Sequence, residues 1–404
     1  MKYQRSIACC AALLAGVVLG PPDFLLGAPA QTAANVQPGN PGAQAQQVID
    51  KGVGFLKAQQ KPDGGWQQGT EPPAITAIVL KAFLQDPQHG NDRTILDRGF
   101  KKLLSYQQPD GSIASDVLAT YNTAIAISTF ADAGGQYKDA QEKALRYLRS
   151  IQWTDKIQGV KDRSKQVDES NPNYGGWGYG SRGRADLSNV QMALDALHDS
   201  GLKSSDPAYQ AALKFITRTQ NNSETNDQKW AGDDGGFIYT AAEGGASMAG
   251  TLVTPDGKKI FRSYGSMTYA GLKSMIYAGL SKDDPRVKAA WNWVRENWTL
   301  DENPGLHFAD PTKSEASDWG LFYYYHTLAR ALRAYGEPVI TDSKGNKHDW
   351  RVELIQKITL QQHPDGSWAG KERWMESKPV LATGYAILAL EEAQQDLKEH
   401  PATK

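Results

Sequence analysis

Three aspartates stand where an acid or base could be presented to a ligand. Asp116, Asp186 and Asp318 each precede a run of residues with helical character, so each carries a carboxyl group to a helix start. Two such groups across a sugar would suit glycosidic cleavage. Near them stand Thr120, Ser188, Asn189, Tyr264 and Ser266, which offer hydroxyl and amide groups for binding. Trp319, Tyr323 and Tyr324 offer aromatic faces that stack on sugar rings or enclose a lipid, and His326 follows them. Each residue also has a plainer reading. An aspartate at a helix start caps free backbone N–H groups. Aromatic residues at helical spacing fill a core. A single histidine is a weak metal-ligand signal, and the seven histidines show no HExxH pattern, so no metal or cofactor is expected.

These residues converge only if the elements that carry them do, and the elements recur. One unit reads as an amphipathic helix, a glutamine, a glycine-rich turn with an aromatic, and a second helix rich in alanine and leucine. In residues 48–60, Val48, Ile49, Val53, Phe55 and Leu56 form one apolar stripe. Pro62-Asp63-Gly64-Gly65-Trp66 then turns the chain, and Pro72-Pro73 opens the helix that runs to Leu84. Five further units follow, with turns at Pro109-Asp110-Gly111, Tyr174-Gly175-Gly176-Trp177, Asp234-Gly235-Gly236-Phe237, ahead of Trp319, and at Pro364-Asp365-Gly366-Ser367-Trp368. Asp206-Pro207 and Asp284-Pro285 mark two helix starts as cap plus first-turn proline.

Six pairs make twelve helices. The first helix of each pair carries charge opposite its stripe and belongs outside; the second is small, apolar and able to pack on both sides. The fold class this predicts is all-α: a closed α/α toroid of six helix pairs, since no polar capping unit is evident for an open solenoid. The stretch 241–262 interrupts the fourth unit, and Thr254-Pro255-Asp256-Gly257-Lys258 reads as the turn of a small β-hairpin. In a toroid, the N-terminal ends of the inner helices line the central cavity, which gathers the residues named above.

The first unit resembles the QW repeats of the squalene–hopene cyclase and protein prenyltransferase superfamily. Lys51-Gly52, Phe55-Leu56, Gln60, Gly64 and Trp66 sit at that motif's spacing. Gln362, Gly366 and Trp368 repeat its second half; Gln108 and Gly111 keep a worn version with Ile113 in the aromatic position. The resemblance implies the α/α toroid. It also implies where activity would lie, and there the sequence departs from the pattern. The cyclases carry their acid in a DxDD motif leading into Thr-Ala. Here Thr123-Ala124 follows Ala119, Thr120, Tyr121 and Asn122, none of them acidic. The prenyltransferases hold zinc with Asp, Cys and His, and both cysteines, Cys9 and Cys10, fall in the N-terminal segment. In the motif itself, the glutamine is read as bonding free backbone groups at the helix end and the tryptophan as covering that junction.

The whole chain has 404 residues, 40% hydrophobic and 22% charged, with a net charge of −1. No global field draws it to nucleic acid or to an anionic membrane, and no phosphate-binding glycine motif is present. Lys2 and Arg5, the apolar run 7–20 and Ala28-Pro29-Ala30 read as a signal peptide over 1–30. Residues 31–45 read as a flexible linker, 46–396 as one toroid domain and 397–404 as a tail. The expectation is an exported protein, periplasmic or secreted, that is not an integral membrane protein once the signal is removed. Its cavity holds an elongated apolar, isoprenoid-like ligand or a partner, without the family's acid or zinc. The alternatives are an exported enzyme acting on polysaccharide through Asp and Tyr at the cavity mouth, and a scaffold with a filled centre.

Overall fold

The computed structural model describes residues 40–115, 118–155, 167–180, 183–310 and 312–401. Twelve α-helices run in chain order through the described residues: α1 Pro41–Gln59, α2 Ala74–Gln85, α3 Arg93–Leu104, α4 Ala119–Asp132, α5 Lys138–Ser150, α6 Leu187–Asp199, α7 Pro207–Thr219, α8 Gly265–Tyr277, α9 Pro285–Glu296, α10 Leu321–Tyr335, α11 Trp350–Leu360 and α12 Pro379–Glu399. The even-numbered helices pack each on the next, and α12 packs on α2, so the inner layer closes. The odd-numbered helices pack around it, and α11 meets α1. This is the closed α/α toroid.

Composition explains the two layers. In α2 every residue from Ala74 to Phe83 is buried, as an element covered on both sides requires. In α5 only Ala140, Ala144 and Leu148 are buried, a single stripe four residues apart with charge elsewhere. The proline starts of α7 and α9 are capped as expected: Asp206 accepts from the Ala208 N–H and Asp284 from the Arg286 N–H, both at 2.9 Å. Helix α1 begins at Pro41, inside the stretch expected to be linker. Asn40 caps it by accepting the Gly42 N–H, so Asn-Pro-Gly starts a helix here instead of prolonging a loop. Likewise α12 runs to Glu399, into the expected tail.

Five of the six junctions between paired helices share one bonding scheme. Gln60 Nε2 donates to Gly64 O in its own turn and to Ile95 O in the first turn of α3, at 3.0 and 2.9 Å. Gln152, Gln220 and Gln362 do the same for their own turns and the next outer helix, and Gln362 thereby reaches Val48 in α1. In the second unit the residue in this role is Gln107, bonded to Gly111 O and Ala140 O, and not Gln108. Trp66, Trp177 and Trp368 each donate their indole N–H to a carbonyl at the end of the preceding outer helix.

The hairpin at 241–262 is present as β1 Thr251–Val253 against β2 Lys259–Phe261, with Leu252 opposite Ile260. A second hairpin, β3 Val339–Thr341 against β4 Lys347–Asp349, leads into α11. No described helix is long and apolar enough to cross a membrane.

Candidate functional site

All six inner helices point their N-terminal ends at one cavity of about 320 Å³. Ile75 and Ile78 of α2, Tyr121 and Ile125 of α4, Ser188 of α6, Met267 of α8, Tyr323 of α10, and Leu381 and Tyr385 of α12 form its wall. Loops complete it with Leu118, Tyr179, Tyr239, Met248, Tyr264 and the segment Trp374-Met375-Glu376. Trp374 is 41% exposed and therefore stands at the rim. Its indole lies 6.5 Å from that of Trp319, edge to face, and the Arg373 guanidinium lies 4.3 Å over the Trp319 ring.

The tyrosines are joined by hydrogen bonds. Tyr121 Oη donates to Ser188 Oγ at 2.7 Å, the Tyr179 and Tyr239 hydroxyls are 2.8 Å apart, and Gln191 Nε2 donates to Tyr323 Oη at 2.7 Å. Burial pushes Tyr121, Tyr239, Tyr264 and Tyr323 well above the ordinary tyrosine range, so these hydroxyls stay neutral. The Tyr121 and Tyr179 rings stack at 5.9 Å, nearly parallel.

Two carboxyl groups serve this cavity. Asp186 lies behind Ser188 and caps α6. It accepts from the Asn189 N–H at 2.9 Å, from Asn189 Nδ2 at 2.8 Å and from Ser188 Oγ at 3.1 Å. Burial raises it to about 6, against the pull of those bonds. Glu376 lines the cavity directly and is 1% exposed. Its Oε1 accepts the Tyr323 N–H at 2.7 Å, at the start of α10, and Oε2 has no hydrogen-bond partner. Burial raises it to about 7, while the α10 backbone N–H groups favour its charge. The backbone that delivers it is strained: Trp374 and Met375 both take left-handed φ, at 57° and 67°. Leu118, which also lines the cavity, does the same at 58°.

The C-terminal halves of the inner helices close the other end with charge. Lys81 bonds Asp132 at 2.6 Å, Lys273 bonds Asp195 at 2.7 Å, and Arg330 bonds Asp199 at 2.8 Å. All three cations are buried. Burial opposes the charge on Arg330, but Asp195 and Asp199 hold it firmly protonated. A void of only about 20 Å³ lies among Lys81, Asp195, His326 and Arg330, room for about one water.

The expected residues sort as follows. Ser188, Tyr264, Ser266 and Tyr323 line the cavity, and Asp186 and Asn189 stand behind Ser188. Thr120 is buried in loop packing, donating to Gly178 O at 2.6 Å and accepting the Gly180 N–H at 2.9 Å. Tyr324 points away and donates to Thr299 O at 2.7 Å. Trp319 supports the rim without entering the lining. Asp318 is partly exposed in a 3-10 turn, 3.7 Å from Lys371, and the start of α10 is served by Glu376 in its place. His326 belongs to the charged end, where burial and then Arg330 push it well below the ordinary histidine range. Asp116 lies outside the described residues.

Glu376, Tyr121, Tyr179, Tyr239 and Tyr385 were not among the expected site residues. Glu376 meets α10 across 53 residues of sequence, so no local pattern reveals it. Remote from the cavity, Asp50, Asp86 and His89 place one ligand-type atom each within 4.8 Å of one another. Asp50 lies in α1, whereas Asp86 and His89 follow α2 three residues apart; Gln46 Nε2 donates to both aspartates.

No protein-family model matches the chain, and no curated protein does. Solved structures do. The type II terpene cyclase MstE from Scytonema, in its apo form, superposes with a TM-score of 0.53 at 14% identity, over 88% of this chain and 100% of that one. A single-residue variant of that cyclase, in complex with its substrate geranylgeranyl dihydroxybenzoate, gives 0.51 at 14% identity, over 88% and 99%. An alpha-amylase from Clostridium perfringens gives 0.51 at 12% identity, over 88% and 99%. At such identities the likeness establishes the toroid and leaves the chemistry to the site.

Proposed function

We propose that this chain is a divergent toroid of the terpenoid-cyclase kind that holds an elongated apolar, isoprenoid-like ligand in its central cavity, without the cyclases' DxDD acid. One observation carries the reading. The six inner helices converge on a cavity lined by aliphatic and aromatic side chains, with neutral tyrosine hydroxyls as the main polar points. Such a lining gains free energy from apolar area removed from water, at about 25 cal/mol per Å². The substrate-bound terpene cyclase, whose ligand carries a geranylgeranyl chain, supports the same ligand class for a toroid of this shape.

The sugar-directed alternative has weaker support. Asp186 is occupied as a helix cap and Asp318 is paired with Lys371 outside the cavity, so among the described residues no two expected aspartates face a common point. A filled-centre scaffold is disfavoured by the cavity itself.

The test is organic extraction of the purified protein followed by mass spectrometry, with Ile75→Trp as control. Ile75 lies on the cavity wall, so the indole fills the space while the helix stays intact. Co-purifying isoprenoid that the variant loses supports the reading. Lipid-free protein that also fails to bind added prenyl compounds sinks it. We propose further that residues 1–30 direct export. Mass spectrometry of the mature chain from the extracytoplasmic fraction should find its N-terminus near Gln31, and an intact Met1 in the cytoplasm would refute this.

A further inference from the structure

The cavity's charge inventory narrows the ligand further. Among the described residues no lysine, arginine or histidine lines it, and Glu376 is its one carboxyl group. A phosphate or diphosphate drawn inside would find no counter-charge there and would face the carboxyl instead. The carboxyl itself is incompletely bonded. Oε1 is held by the Tyr323 N–H, whereas Oε2 is buried, without a partner, and packed so closely against Gly370 that an added Cβ would come within 2.6 Å of it. A buried polar atom without a partner is costly to maintain. Two consecutive left-handed residues, Trp374 and Met375, hold the group in this position, which is a further cost that a mere core residue has no reason to bear.

We propose that Glu376 determines the ligand's chemical class: protonated, its carboxyl group donates a hydrogen bond to an uncharged oxygen at one end of an isoprenoid chain. The cavity then takes a prenyl alcohol or ketone and refuses a prenyl phosphate. This rests on the cavity being the site of an isoprenoid-like ligand, as proposed above. The titratable groups that face Glu376 are Tyr385 from α12 and Tyr323 and Tyr325 from α10, all pushed upward by burial. Its own segment adds Glu372, Arg373 and Lys378, whose side chains are exposed. Asp186, behind Ser188, is raised to about 6 and also titrates in this range, so the part of any pH change in binding that Glu376→Gln removes is Glu376's own.

The experiment is calorimetric titration of the full chain with geranylgeraniol and with geranylgeranyl diphosphate, at pH about 5.5 and about 8.5, chosen to bracket that titration. The alcohol should bind about tenfold more tightly at the lower pH, and more tightly than the diphosphate. Glu376→Gln keeps a donor and loses the titration, so its alcohol affinity should stay near the acid-form value at both pH values. Glu376→Leu should lose about tenfold at the lower pH. A pH-independent wild type, a Gln variant as weak as the Leu variant, or a preference for the diphosphate would each overturn the role of Glu376 while leaving the apolar cavity in place. Binding of neither compound at either pH would overturn both readings.

Discussion

At the residue scale, two buried acids make the fold sensitive to alkali. Glu376 rises from 4.5 to about 7 and Asp186 from 3.8 to about 6, both through burial. A group raised in the folded state binds its proton more tightly there than in the unfolded chain. The contribution of these two acids is therefore full below about pH 4 and is lost as pH climbs through 6 and 7, by up to about 3 kcal/mol for each. Glu376→Gln should flatten part of that decline. In denaturant unfolding, the variant should match the wild type near pH 5 and exceed it by about 1–3 kcal/mol near pH 8; a variant weaker than wild type at both would contradict the burial argument. Asp186 was legible in the sequence because Asp-Leu-Ser-Asn announces a cap, and its bonds to Asn189 are local. Glu376 was not legible, since its partner lies on another helix and its own neighbours, Trp374 and Met375, take a conformation that their residue types do not advertise.

At the element scale, stability concentrates at the junctions. Gly366 has φ +89°, and an added Cβ would collide with Lys51 O in α1. Gly366→Ala should cost about 3 kcal/mol or more, from the backbone strain and the displaced helix together. Gln107 and Gln108 offer a sharper comparison. Gln107 bridges its turn to α5, while Gln108 is exposed and bonds only within its own loop. Gln107→Leu should lose about 2 kcal/mol in chemical denaturation and Gln108→Leu less than about 1; the reverse order would restore the reading by which Gln108 fills the motif. The sequence signals the twelve helices well, because stripes and proline starts are local. It misplaces this glutamine by one residue, since two adjacent glutamines differ only in which points at the next helix. The hairpin 339–349 escaped notice because its three-residue strands are too short for alternation to show.

At the scale of the whole molecule, α12 is the closing element. It packs on α10 and α11 and also on α1 and α2, and Gln394 Nε2 donates to Gly42 O at the start of α1. Deleting residues 379–404 should therefore abolish a single sharp thermal transition and expose dye-binding apolar surface. A truncated chain that still melts cooperatively would mean that closure contributes little. Closure was legible from the uncapped ends; the buried lysines and arginine of the inner helices were not, because each reads alone as a break in an apolar face. Their placement has a last consequence. With Lys81, Lys273 and Arg330 locked to aspartates across one end, the ring is a blind well and not a tunnel. Whatever enters must leave by the way it came, hydrocarbon tail or head first but never threaded through. The depth of that well then sets a ceiling on chain length, and anything longer is left standing beside Trp374.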